Sequence, residues 1–167
     1  NANPAMFEDI FTDIALIGKE HQDVGDHKLI HKALAELRKA LKMFLPYRKK
    51  RKVAIFGSSR VSDSHPNYKL ALELAQGLTR HDYQVITGAG GGIMEAANQG
   101  AGRESSFGLN IKLPMEQSAN SFIDNDPHLL EFKYFFTRKL VFIKESSATV
   151  LLPGGFGTLD EGFENLT

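Results

Sequence analysis

The sequence predicts an α/β fold in which a parallel sheet carries helices on both faces and is preceded by two N-terminal helices. Three observations lead there. From residue 53 onward, short apolar runs rich in Val and Ile alternate with segments of helical period. The runs are apolar at consecutive positions, so both faces of each strand are expected to be buried, as in a parallel sheet. Three of the loops that follow strands carry unusual residues, GSSR, GAGGG and PGGFGT. Each lies at the carboxyl end of a strand, where such sheets bind ligands.

The elements follow in order. Phe7, Ile10, Phe11, Ile14 and Ile17 repeat at helical spacing, and Ile30, Leu34, Leu37 and Leu41 form a second series. GKEHQDVGD separates the two, and Pro46 stops the second. The run RKKRK at 48–52 then reads as a solvated flank rather than a nucleic-acid contact. Residues 1–47 are therefore expected to form a helical extension and residues 48–167 the sheet domain. VAIFG (53–57) is the first strand. Pro66 opens a helix whose one face carries Ala71, Leu74, Ala75 and Leu78. YQVITG (83–88), the loop GAGGG and the helix IMEAANQGA come next. GLNIKL (108–113), LLEF (129–132) and ATVLL (148–152) supply further strands, the last expected in the centre of the sheet. FFTRKLVFIKES is the helix before it.

Composition narrows the function. The chain has 167 residues, 42% of them hydrophobic and 24% charged, with zero formal net charge. That balance lacks the basic excess of a nucleic-acid binder. No cysteine is present, so disulfides, thiolate nucleophiles and cysteine-bound metals are excluded. No signal peptide or membrane-length apolar stretch is seen, and a cytoplasmic location is expected, with no membrane partner. The chain starts NANPAM without an initiator Met and stops at FENLT within a helical pattern, so it reads as a fragment whose C-terminal part is missing.

A glycine cluster after a strand lets backbone N–H groups reach an anion, and the helix that follows aims its positive end at the same point. GAGGG and PGGFGT both fit. No Walker loop occurs, and Ile93 stands where the dinucleotide fingerprint starting at Gly88 and Gly90 needs its third glycine. Thr158 and Glu161 form T-x-x-E, which reads either as a capping box opening a helix at Thr158 or as a carboxylate set beside a phosphate cradle. Asp160 reads as a first-turn acid that complements the helix dipole.

TGAGGGIMEAANQGA, LNIKLPMEQSAN, LEFKYFFTRKLVF and VLLPGGFGTLDE, in this order, resemble the LOG ("lonely guy") family of nucleoside 5′-monophosphate phosphoribohydrolases, long labelled lysine decarboxylases. The likeness spans about residues 53–167. It implies a Rossmann-like homodimer that hydrolyses the N-glycosidic bond of AMP or of N6-modified adenosine monophosphates, with no metal or redox cofactor. By resemblance Arg138 and Glu161 match the catalytic arginine and glutamate. Lys139, Gly154, Gly155, Gly157 and Thr158 match substrate-binding positions, as do Gly90, Gly91 and Gly92 of the other loop, Met94, Glu95 and Thr167. Arg138 is expected either to hold the phosphate or to steer Glu161. The family commonly has G-G-G-P-G where this chain has Gly88-Ala89-Gly90-Gly91-Gly92, so the loop is expected to be less rigid. The alternative keeps the fold and drops the reaction, giving a nucleotide or molybdenum-cofactor carrier.

Overall fold

Asp23 starts the second helix. Its Oδ1 accepts from the N–H of Gly25 at 2.7 Å, satisfying a donor that the first turn leaves orphaned. This is seen in a computed structural model that describes residues 3–20, 23–112 and 118–166. The chain divides into two compact units, Asn1–Glu36 and Leu37–Thr167. In the first unit α1 spans Pro4–Glu20, and α2 (Val24–Phe44) begins there and continues into the second. The helices extend well beyond their apolar series, taking up Lys19 and Glu20 from the expected separator. Phe7, Ile10 and Phe11 of α1 are exposed.

The second unit holds five strands, β1 (Lys52–Phe56), β2 (Gln84–Thr87), β3 (Ser106–Ile111), β4 (Leu129–Phe132) and β5 (Ala148–Leu151). All described pairings are parallel, in the order β4-β3-β2-β1-β5. The helices are α3 (Pro66–Arg80), α4 (Ile93–Ala101), α5 (Phe135–Glu145) and α6 (Phe156–Leu166). Strand side chains alternate between faces. Val53 and Ile55 of β1 thus join Ala71, Ala75, Ile93 and Ala96 in one core, beneath α3 and α4. Ala54 and Phe56 join Phe44, Phe107, Val141 and Phe142 in the other, beneath α5 and the end of α2. Both faces are covered, as the apolar runs require.

Two expectations are corrected. Among the described strands β5 is an edge strand, paired with β1 alone. An apolar run reports that a strand is buried in part, not where it stands in the sheet order. The run RKKRK is not uniformly solvated either. Lys52 opens β1 at 2% exposure, donates to the carbonyls of Tyr47 at 2.8 Å and Lys50 at 3.1 Å, and pairs with Glu145 at 3.5 Å. Burial pulls its ammonium pKa below the usual value, with Glu145 opposing. Among the described residues no helix is long and apolar enough to cross a membrane.

Candidate active site

The chain leaves β1 for β2, β3 and β4 on one side, then returns through α5 to place β5 on the other side of β1. The reversal opens a crevice between the carboxyl ends of β1 and β5, the position at which open parallel sheets take ligands. A cleft of about 560 Å³ lies there. Its walls are the GSSR loop, the first turns of α6, Met94 of α4, and Phe135 and Arg138 of α5.

The loops are fastened to one another through the backbone. Ser58 donates its N–H to Pro153 O at 3.1 Å, and its carbonyl accepts from Ile93 N at 3.0 Å. Gly92, at φ +62°, leaves no room for a side chain, since a Cβ would stand 2.3 Å from Ser58 O. A Cβ at Gly154 would stand 2.1 Å from Thr158 Oγ1 and 2.9 Å from Ser58 N. These glycines allow three loops to share one place.

GAGGG lacks the proline and is held instead by a buried polar network. Thr87 Oγ1 donates to Asn98 Oδ1 at 2.8 Å and accepts from Ala89 N at 3.0 Å, while Asn98 Nδ2 donates to Ser106 Oγ at 2.6 Å. Asn120 Nδ2 donates to the carbonyls of Ala89 at 3.1 Å and Gly90 at 2.9 Å. Buried and mutually satisfied, such groups rigidify the loop they hold.

α6 begins at Phe156, two residues before the expected start, and Thr158 N donates to Gly155 O at 3.0 Å. Thr158 therefore lies inside the helix, and it forms no capping box with Glu161. Glu161 points instead to α5. It is 7% exposed, and its Oε1 accepts from Arg138 Nη1 at 2.9 Å. Arg138, also 7% exposed, donates Nε to Leu109 O at 2.6 Å and lies 5.0 Å over the Phe142 ring. Burial draws the guanidinium pKa below its usual value, and Glu161 and then Asp160 oppose this. A buried carboxylate requires such a counter-charge. Next in sequence, Lys139 pairs with Asp160 at 2.9 Å, so two consecutive bases meet two consecutive acids. Asp160 is thus an ion-pair partner bordering the cleft, not merely a first-turn acid.

Of the residues singled out from sequence, Met94, Arg138, Gly155, Gly157, Thr158 and Glu161 border the cleft. Gly154 lies directly behind it. Gly90, Gly91, Gly92 and Glu95 do not border it; Gly91 and Gly92 back the GSSR loop. Lys139 is turned to Asp160, and Thr167 lies outside the described residues. Sequence reasoning passed over Ser58, Ser59 and Arg60, although GSSR was the third loop at a strand end and signalled them.

Residues 94–167 match the family model described as "Possible lysine decarboxylase". Among solved structures, the structural-genomics X-ray structure of a protein designated TM1055 is similar at 28% identity and a TM-score of 0.52, over 69% of this chain and 68% of that one. The molybdenum cofactor carrier protein MCP from Chlamydomonas reinhardtii shares the fold at 21% identity and a TM-score of 0.54, over 70% and 71% of the two chains. No curated protein matches the sequence. With that model matched over residues 94–167, the motifs in order and the fold shared, this chain is similar to the LOG family.

Proposed function

We propose that the chain hydrolyses the N-glycosidic bond of AMP, or of an N6-modified adenosine monophosphate, to free base and ribose 5-phosphate. One observation carries the reading: a buried carboxylate, Glu161, lies on the same helix whose first turn borders the cleft. Thr158 N is taken by Gly155 O, and the N–H groups of Phe156 and Gly157, which have no acceptor within the helix, suit a 5′-phosphate. From Phe156 to Glu161 the helix rises about 7.5 Å. That is on the order of the ribose that separates a 5′-phosphate from its anomeric carbon.

Cleavage proceeds as in glycoside hydrolysis. As the C1′–N bond breaks, its electron pair leaves with the base, which takes up a proton, and positive charge builds on the ribose ring. The Glu161 carboxylate stabilises that charge and accepts a proton from the water that bonds to C1′. Arg138 acts as a positioning residue, since its Nε goes to Leu109 O and its Nη1 to Glu161. Met94 offers an apolar wall to the base. Lysine decarboxylation through a Schiff-base lysine finds little support, because Lys139 is paired with Asp160 and Lys144 with Glu145.

The test is incubation of the protein with a panel of nucleoside monophosphates, with base and sugar phosphate both quantified. Equal release of adenine and ribose 5-phosphate from AMP is expected. AMP bound in stoichiometric amount and recovered intact would favour a carrier.

We further propose that the chain pairs with a second copy of itself. Phe135, Phe136, Leu140 and Ile143 expose one side of α5, and Phe156 is 91% exposed at the start of α6. Apolar surface of this extent is typical of an interface. Light scattering is expected to return twice the chain mass at micromolar concentration, and a monomer there would remove the idea.

A further inference from the structure

We propose that Arg60 recognises the dianionic 5′-phosphate and thereby makes the cleft select nucleotides over nucleosides. The inference rests on reading the cleft as a nucleotide site and adds a specificity residue outside the four stretches that carry the family resemblance. Arg138 donates Nε to Leu109 O and Nη1 to Glu161, and Lys139 pairs with Asp160. Arg60 also borders the cleft, its residue is exposed, and among the described residues no acid pairs with it.

Its backbone is fixed although its side chain is not buried. Arg60 N donates to Ser58 Oγ at 3.2 Å, a local turn of the kind serine favours. Ser58 is in turn tied to Pro153 O, just upstream of α6, and to Ile93 N. The guanidinium is thus carried by a loop bonded directly to the segment that leads into the proposed phosphate position. A helix start supplies roughly half a unit of positive charge, which leaves a phosphate dianion far from neutralised. A guanidinium supplies a whole charge and a planar fork that fits two phosphate oxygens.

The experiment uses Arg60→Ala and Arg60→Lys in the full chain. Base release is measured with AMP and with adenosine, and melting temperature with ribose 5-phosphate and with ribose. Losing one charge-assisted contact is expected to raise KM for AMP roughly tenfold to hundredfold in the alanine variant, with kcat changed far less. The lysine variant is expected to fall between, and adenosine turnover to stay at the parental level. Ribose 5-phosphate should stabilise the parent and not Arg60→Ala, while ribose stabilises neither. An unchanged KM for AMP in Arg60→Ala, or equal losses with AMP and adenosine, would overturn the assignment. If the parent releases no base from any nucleotide yet gains Arg60-dependent stability from ribose 5-phosphate, the hydrolase reading falls and Arg60 stands. If ribose 5-phosphate stabilises neither parent nor variant, the Arg60 assignment falls.

Discussion

Replacing Glu161 by glutamine is expected to slow base release from AMP about a hundredfold to a thousandfold, the usual cost of one electrostatic group facing a developing charge. AMP binding is expected to persist, because the phosphate contacts are untouched. The stability effect is larger than sequence alone suggested. Read as a capping box, Glu161→Gln should leave folding within about 1 kcal/mol of the parent. The carboxylate is instead the counter-charge of buried Arg138. Glutamine keeps an acceptor for Nη1 but no charge, so a loss of about 1–3 kcal/mol is expected. A melting curve and an AMP titration on the same variant separate misfolding from lost chemistry. A parental rate of hydrolysis would show that Glu161 serves structure alone.

Arg138→Met is expected to be the more damaging change to stability. It takes the guanidinium partner from the buried Glu161 carboxylate and removes the donor to Leu109 O. Breaking a buried pair from one side costs about 3–5 kcal/mol. In a chain of this length that lowers the melting temperature on the order of 10 °C. Adding Glu161→Leu removes the buried carboxylate as well, so the double variant is expected to regain much of the stability and none of the activity. Additive losses in the double variant would show that the two side chains are not energetically coupled.

Most of the sheet was legible because its signals are local. β4 and α4 fall on the residues their patterns predicted, and β1 and β5 differ by a residue or so at their ends. What the sequence hid depends on contacts between distant segments. The start of α6 was misplaced because T-x-x-E satisfies a local rule, while the helix begins at Phe156 and Glu161 is turned to Arg138, 23 residues away in sequence. The edge position of β5 is set by strand order, which an apolar run does not encode. Lys52 looked like one of five equal basic residues, yet it opens a buried strand and must find Glu145. The GAGGG loop was expected to be less rigid without its proline, because Asn120 carries no local sign that it reaches the carbonyls of Ala89 and Gly90 and meets Asn98 Oδ1. Within the cleft the family motifs pointed to Glu161 and Arg138. The GSSR loop was legible as a strand-end loop, and the register of β1 with β5 sets it beside PGGFGT.

The central claim is that α6 holds a nucleotide by its phosphate and meets the ribose with Glu161. A crystal structure of the Glu161→Gln variant soaked with AMP tests it most directly, because slow turnover leaves the substrate intact. The phosphate is expected at the first turn of α6 against the GSSR loop, with the anomeric carbon in van der Waals contact with the side chain at 161. AMP held only by the exposed Arg48–Arg51 run, with the α6 start empty, would contradict the account, as would a ribose turned away from residue 161.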